Sequence, residues 1–207
     1  MISYYYIKGF FMKIKKIIAT VAAVFALGTS AFAFEWSECW KNYGGGIEKG
    51  DMILSVGLGL NYGAFSYLGD DGGYFIPNIL ADFEIAQPIW LLPFTFGGYL
   101  GVDGYGCKTG SDYNSWVRTS FGGLAKYHVQ LPVEKLDVYL GLKLGLSIWN
   151  NKWDYDYSNG TNNSGSDSTW YFDGNYVLGA SYYFTNLIGV NAELGYPYTR
   201  VAVAVKF

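Results

Sequence analysis

The sequence has few charged residues, few cysteines and a single histidine, and each shortage excludes a class of protein. Charged residues make up 15% of its 207 residues, against roughly 25% in an average soluble domain, which argues against an ordinary cytoplasmic surface. Two cysteines cannot form a disulfide scaffold or a four-cysteine zinc site, and a single histidine excludes metal sites that need two histidine ligands. The net charge of −3 leaves no basic surface, so we expect no nucleic-acid partner.

Hydrophobic, aromatic and glycine residues are abundant instead. Hydrophobic residues form 51% of the chain, which excludes intrinsic disorder. Aromatic residues reach 20%, and there are 28 glycines. This composition indicates β structure that is rich in glycine and aromatic side chains and poor in charge.

The first 33 residues have the pattern of a cleaved signal peptide. An apolar run of eleven residues, 17–27, follows a positive region that contains Lys13, Lys15 and Lys16. The stretch 31–33 then matches a small-x-small cleavage site. Eleven apolar residues are too few for a transmembrane helix, which needs ~20. Met12 begins a more typical signal peptide than Met1, so it is an alternative start of the protein.

Cleavage after residue 33 predicts an exported and mildly acidic protein. The mature chain begins at Phe34, and the loss of four lysines lowers the net charge from −3 to −7. We expect residues 34–50 to form a periplasmic N-terminal segment and residues 51–207 to form an outer-membrane domain. Cys39 and Cys107 could pair in an oxidising compartment only if this segment entered the interior of the domain, and the sequence leaves that open.

After residue 50, apolar residues alternate with polar or small ones, which is the pattern of half-buried strands. The clearest stretch, 136–148, places seven aliphatic side chains on one face: Leu136, Val138, Leu140, Leu142, Leu144, Leu146 and Ile148. Its thirteen residues exceed the mean soluble strand of about 5–6 residues and suit a tilted membrane strand, which needs about 9–11.

Eight stretches of this kind are predicted as strands. They are 51–62, 76–86, 93–104, 116–129, 136–149, 171–184, 187–196 and 199–207. The connections between them alternate between short turns and the long polar loops 63–75, 105–115 and 150–170, as in outer-membrane barrels. Because open sheet edges are not tolerated in lipid, the strands must close on themselves. The prediction is therefore an all-β fold, a closed antiparallel eight-stranded transmembrane β-barrel.

Aromatic residues cluster at the ends of the predicted strands, where membrane proteins carry interfacial girdles. The predicted girdle residues are Tyr62, Phe75, Trp90, Trp116, Tyr127, Trp149, Trp170, Phe184 and Tyr196.

Charged residues lie on the face opposite the aliphatic one and predict a charge network inside the barrel. They are Asp82, Glu84, Asp103, Arg118, Lys126, Asp137, Lys143, Glu193, Arg200 and Lys206. Unpaired charge in a narrow interior is costly, so we expect opposite charges at the same depth to pair. Strand direction places Asp103, Arg118 and Arg200 near the outer end, Lys143 and Glu193 at mid-depth, and the other five towards the periplasm.

The stretches 179–186 and 188–196, with a final strand that ends in Phe207, resemble small eight-stranded bacterial outer-membrane barrels of the OmpA/OmpX/OmpW type. The resemblance covers residues 51–207 and implies that the protein resides in the bacterial outer membrane, with membrane lipid as a partner. It also implies that barrel assembly machinery recognises the last strand, through Val201, Val203, Val205 and Phe207. Ala202 and Ala204 depart from the family by standing where glycine is expected.

No catalytic, cofactor or metal site is predicted. His128 is the only histidine, and its position on the inner face favours lumen filling over a role as a catalytic base. The G-x-S-x-G motif of hydrolases is absent, and a calcium-loop-like stretch that starts at Asp154 has Gly165 where an EF-hand needs Glu. We therefore expect a protein that is not an enzyme and needs no cofactor.

Two functions remain open, because small barrels of one fold serve many roles. The first is a monomeric structural and surface-interaction protein with a charge-plugged lumen, whose loops, 150–170 above all, meet an unknown extracellular ligand. The second is a narrow channel for small, including apolar, solutes, with an open path left by the many inward glycines. A soluble lipocalin-like carrier is the non-membrane alternative, but it would need apolar residues inside and polar ones outside.

Overall fold

The computed structural model describes residues 36–61, 73–156, 162–196 and 198–207. The predicted signal peptide, residues 1–33, and the alternative start at Met12 lie outside the described residues. The chain divides into the units Met1–Ser37 and Glu38–Phe207, and the second contains all the described strands. The elements are the helix α1 (Trp36–Cys39) and the strands β1 (Met52–Asn61), β2 (Gly73–Ala86), β3 (Phe94–Thr109), β4 (Asp112–Gln130), β5 (Leu136–Asp156), β6 (Asn162–Tyr183), β7 (Ile188–Tyr196) and β8 (Tyr198–Lys206).

The eight strands form a closed antiparallel barrel, which confirms the predicted fold. Each strand pairs with the next along the chain, and β8 pairs with β1 to close the sheet, with Val203 opposite Val56. Closure pairs the backbone of both β1 and β8 on each side, so neither is an open edge where the barrel crosses lipid. Among the described residues, no helix is long and apolar enough to cross a membrane.

The barrel has an apolar outer face and a polar inner face. Along β8, Val201 and Val203 are exposed, whereas Ala202, Ala204 and Arg200 are buried. The aliphatic residues of β1 and β5 face outward in the same way, with Leu58 59% exposed and Leu140 58% exposed. A soluble carrier would require the reverse arrangement, so the lipocalin-like alternative is wrong.

The predicted short connections 87–92, 130–135 and 185–186 lie at one end of the barrel, with the start of β1 and the end of β8. We call this the turn end, and the opposite end, where the 110–111 turn joins β3 to β4, the loop end. Trp90, at the tip of the hairpin that the Ile89–Leu92 bridge closes, has a positive φ of 57° and is 94% exposed.

Two of the predicted long loops are wrong, because β-strands occupy most of them. β3 continues to Thr109 and β4 starts at Asp112, so residues 105–115 form a hairpin with a tight turn at Gly110. β5 and β6 extend through most of 150–170 and pair as far as Asp156 opposite Asn162. These extensions lack apolar alternation because both their faces lie beyond the apolar band, where neither face has to be apolar.

The segment that precedes β1 packs against the turn end. The Tyr43 hydroxyl donates a hydrogen bond to the Phe94 carbonyl at 2.5 Å, and the Gly45 amide donates to the Leu136 carbonyl at 3.1 Å. Ile47 joins a buried apolar cluster at this end of the barrel, with Ile53, Ala86, Tyr183 and Ala204. Burial raises the pKa of Tyr43 to about 12, so its hydroxyl remains a donor at neutral pH.

Candidate functional site

The lumen is the candidate functional site, and the structure places all ten residues of the predicted charge network inside the barrel. All of them are buried, and the most exposed of them, Lys206, is 8% exposed. Burial of this many charges requires pairing, because the cost of removing an ion from water is several kcal/mol.

Two carboxylates at mid-depth hold three cations. Asp82 contacts the Lys143 ammonium at 2.9 Å and the Arg200 guanidinium at 2.7 Å. Glu193 contacts the same two cations, Lys143 at 3.1 Å and Arg200 at 2.8 Å. Lys126 approaches both carboxylates, at 3.6 Å from Asp82 and 3.3 Å from Glu193. We call these five residues the central ion cluster.

Lys126 links the central ion cluster to the turn end. Its ammonium contacts Glu84 at 2.6 Å and lies 4.6 Å from the centre of the Tyr139 ring. The Tyr139 hydroxyl donates a hydrogen bond to Glu193 at 2.9 Å, and the Asn191 amide contacts the same hydroxyl. Each cation therefore meets several acceptors, which is the condition under which buried ion pairs are tolerated.

A separate ion pair lies nearer the loop end. Arg118 on β4 donates two hydrogen bonds to Asp103 on β3, at 2.8 and 3.0 Å. Its guanidinium also lies 5.4 Å from the centre of the Trp149 ring and 5.8 Å from that of Tyr198. The bidentate geometry and the two rings keep this arginine fixed across the lumen.

The predicted sorting by depth is wrong for Arg200 and Asp82. Arg200, expected near the outer end with Asp103 and Arg118, contacts Asp82 and Glu193 in the central ion cluster. Asp82, expected towards the periplasm, lies in the same cluster. Strands in a barrel are tilted and staggered, so equal distance from a strand end does not mean equal depth.

His128 forms part of a hydrogen-bonded chain that sequence analysis missed. One ring nitrogen contacts Asp137 at 2.9 Å, and the other contacts the Thr95 hydroxyl at 3.0 Å. This order of groups resembles that of a nucleophile, base and acid. However, the Thr95 hydroxyl donates to Glu84 at 2.5 Å, and the Thr95 side chain is fully buried. These hydrogen-bonded groups therefore fill the lumen and give Asp137 a partner. The alternation of inward and outward residues along a strand could not predict this contact.

The inward glycines are packed against their neighbours. The Tyr139 ring lies against Gly179, where a Cβ atom would overlap it. A Cβ atom at Gly141 would lie 2.7 Å from Val177 and 3.1 Å from the Lys126 side chain. At these positions the space left by glycine is filled by side chains of adjacent strands.

The closing strand and the aromatic rims also match their expected places in a membrane barrel. Val201, Val203 and Val205 point outward, and Phe207 is 59% exposed. Trp90 and Phe184 are exposed at the turn end, and Trp170 and Tyr196 nearer the loop end. By contrast, Trp116 and Trp149, predicted as girdle residues, lie on the inner face with Arg118. Tyr62 lies outside the described residues.

The cysteines and potential metal ligands have no common site. Cys39 is buried in the segment at the turn end, whereas Cys107 lies thirteen residues beyond the start of β3. At about 3.3 Å per strand residue this separation is roughly 40 Å, too far for a disulfide. Within the described ranges, no group of three or more His, Cys, Asp or Glu side chains could hold a metal ion.

A closed eight-stranded barrel with an aliphatic outer band, aromatic rims and a buried ionic interior defines an integral outer-membrane β-barrel. The protein resides in the bacterial outer membrane and has the architecture of the small OmpA/OmpX-like barrels.

No family model matches this sequence, and no curated protein does. The chain is similar to two solved structures of Ail, the attachment invasion locus protein of Yersinia pestis, one of them in complex with the heparin analogue sucrose octasulfate. The identity is 12% in both alignments, which cover 77% of this chain and 100% of the Ail chain, with TM-scores of 0.47 and 0.48.

Proposed function

We propose that the protein is a plugged outer-membrane barrel with a structural and surface-interaction role, and that it is neither a channel nor an enzyme. The observation that carries this proposal is the closure of the lumen at two heights. The central ion cluster fills the middle of the barrel, and the segment before β1 covers the turn end.

The central ion cluster opposes conduction because its members hold one another across the lumen. Asp82 on β2 contacts Lys143 on β5 and Arg200 on β8, so these ion pairs join strands on different sides of the barrel. An eight-stranded interior is just wide enough for its side chains. An ion could pass only by displacing these groups from their partners, which would leave buried charge unpaired.

The segment before β1 closes the turn end as a second layer. Lys206 on β8 donates hydrogen bonds to the carbonyls of Gly45 and Gly46 and lies 3.9 Å from Asp51. Both glycines have positive φ, 64° and 65°, which turns the chain back across the barrel mouth. This fold of the segment supports the expected periplasmic location of residues 34–50.

The surface role is supported by the length of the strands at the loop end. The first β6 residue paired with β7 is Tyr176, opposite Tyr196, yet β6 begins fourteen residues earlier, at Asn162. Among the described residues, the β6 edge before Tyr176 therefore has no strand on its β7 side. An exposed strand edge is a template for strand addition by an extended segment of another protein. We propose an extracellular protein segment as the partner of this edge.

Export and assembly complete the proposal. Residues 1–33 act as the signal peptide, and barrel assembly machinery recognises the last strand through Val201, Val203, Val205 and Phe207. The amide and carbonyl of Phe207 pair with those of Met52, which closes the barrel at the turn end. Because the barrel closes through its own first and last strands, we expect a monomer.

Planar-bilayer recordings of the purified protein test the plug. Wild-type protein should show at most small, infrequent openings, and Glu193→Ala should raise their frequency, because it removes an acceptor of three cations. Glu134→Ala, at an exposed site in the 131–135 turn, is the matched control and should leave the currents unchanged. Steady, reproducible currents from the wild-type protein would show that it is a channel.

A further inference from the structure

A cavity of about 480 Å³ opens in the barrel wall towards the loop end, with Arg118 among the residues that line it. Its inner-face side chains come from four consecutive strands, β3 to β6. We call the group the aromatic cup: Tyr105, Trp116, Trp149, Tyr171, Asp173 and Asn175.

The four rings of the aromatic cup form a continuous chain. The ring centres of Tyr105 and Trp116 lie 6.4 Å apart, those of Trp116 and Trp149 6.3 Å, and those of Trp149 and Tyr171 6.2 Å. The last two contacts are edge-to-face. Arg118, neutralised by Asp103, also lines the cavity and packs against Trp149.

The two polar groups of the aromatic cup can each accept a further hydrogen bond. Asp173 accepts a hydrogen bond from the Ser147 hydroxyl at 2.7 Å, and no cation of the described residues lies within salt-bridge distance of it. Asn175 is 1% exposed; its amide nitrogen donates to Tyr198, but its Oδ1 atom has no hydrogen-bond partner among the described residues. A buried acceptor without a donor is costly, so this site favours a ligand that donates a hydrogen bond.

We propose that the aromatic cup binds a small organic cation, an alkylammonium ion that carries an N–H or O–H donor. The faces of Trp and Tyr rings attract cations within about 6 Å of their centres. The Asp173 carboxylate supplies the opposite charge, and the donor of the ligand would satisfy Asn175 Oδ1. With Asp103 and Arg118 cancelling each other, the cup has a net negative charge, which disfavours anions.

The proposal is independent of the plugged lumen, because no residue of the aromatic cup belongs to the central ion cluster. The result of the binding experiment therefore does not depend on whether the barrel conducts ions. Alkylammonium groups occur both in free solutes and in lipid headgroups, and the two sources differ by the phosphate that accompanies a headgroup.

Binding is measured by titrating the refolded, isotope-labelled protein with choline and following the indole N–H signals of Trp116 and Trp149. Polyoxyethylene micelles are required, because phosphocholine detergents carry the ligand group themselves. The neutral isostere 3,3-dimethylbutan-1-ol has the same shape and hydroxyl without the charge. We expect choline to shift both signals saturably and the isostere to bind at least tenfold more weakly.

Asp173→Asn should weaken choline binding at least tenfold. Asp167→Asn makes the same change of charge six residues away on β6, at an exposed position, and should change binding less than twofold. The heat-dependent gel mobility of each variant verifies that it has folded. Ethanolamine and glycerophosphoethanolamine, added in parallel titrations, separate the two sources, because both keep N–H donors and only the second carries the headgroup phosphate. Binding of ethanolamine alone identifies a free solute, and binding of both identifies a headgroup.

Three results would overturn the proposal. They are the absence of saturable choline shifts in folded wild-type protein, equal binding of the neutral isostere, and an Asp173→Asn effect no larger than that of Asp167→Asn.

Discussion

At the scale of single residues, Glu193 is a buried carboxylate that contacts three cations. Its carboxylate lies within 3.3 Å of Lys126, Lys143 and Arg200 and accepts a hydrogen bond from the Tyr139 hydroxyl. In Glu193→Ala, the three buried cations would have only Asp82 and Glu84 as carboxylate partners. Removal of one partner of a buried ion pair lowers the free energy of unfolding by about 3–5 kcal/mol. We expect urea unfolding, followed by gel mobility, to show a loss of this size.

Glu193→Gln separates charge from shape in the same measurement, because the amide can still accept from Tyr139. It should retain part of the stability that the alanine variant loses. Glu134→Ala removes a carboxylate at an exposed site and should change stability by less than about 0.5 kcal/mol. A Glu193→Ala protein as stable as the Glu134→Ala protein would mean that the central ion cluster contributes no net stability.

The outer face permits a second residue-scale prediction. Leu142 lies midway along the outward aliphatic row of β5, and Leu136 lies at the first residue of that strand. Arginine on the lipid face costs about 2–4 kcal/mol at the midplane and about 0–1 kcal/mol near an interface. Leu142→Arg should therefore impair folding into vesicles much more than Leu136→Arg. Equal folding yields of the two variants would contradict the assignment of faces and depth.

The alternation of apolar and polar residues predicted which side of the barrel wall each residue occupies. It did not predict which residues meet across the lumen. The alternation along residues 136–148 places Lys143 inside, where the structure has it. Its partner Asp82 is 61 residues away in sequence and three strands away in the barrel. That contact depends on strand tilt and on the length of the lysine side chain, and neither leaves a trace in a hydrophobic pattern.

At the scale of elements, the segment before β1 has a pH-sensitive contact. Burial raises the pKa of Tyr43 to about 12, against about 10 for an exposed tyrosine. Its contribution to docking of the segment is therefore complete below pH 10 and is lost as the pH rises through 12. We expect protease cleavage near residues 40–50 of the folded barrel to increase over this range.

Tyr43→Phe removes both the titrating group and its hydrogen bond to Phe94. The variant should be cleaved faster at neutral pH and lack the step in cleavage that belongs to Tyr43 between pH 10 and 12. Lys206, which also holds the segment, is present in both proteins, so its contacts do not account for a difference between them. The same alkaline step in both proteins would show that Tyr43 does not control docking.

The extent of β5 and β6 could not be read from periodicity. Within residues 136–148 one face meets lipid and the other the lumen, and the sequence alternates accordingly. Beyond Trp149 the strands continue with exposed polar residues such as Lys152 and Ser166. Since neither face of these extensions contacts lipid, their sequence does not need to alternate between apolar and polar residues. The paired strands therefore have the sequence pattern of a polar loop.

At the scale of the whole molecule, the two ends of the barrel should face opposite sides of the outer membrane. Ser166 on β6 is exposed at the loop end, and Glu134 is exposed in the 131–135 turn at the turn end. If the loop end is extracellular, a membrane-impermeant maleimide added to intact cells should label Ser166→Cys and leave Glu134→Cys unlabelled. Wild-type protein, with Cys39 and Cys107, sets the background.

Lysed cells provide the control, because both variants should then react to a similar extent. The placement of residues 34–50 in the periplasm depends on this orientation, since the segment before β1 packs against the turn end. The proposed edge on β6 and the aromatic cup depend on it too, because both lie towards the loop end. Labelling of Glu134→Cys in intact cells, with Ser166→Cys protected, would invert the topology and place both sites in the periplasm.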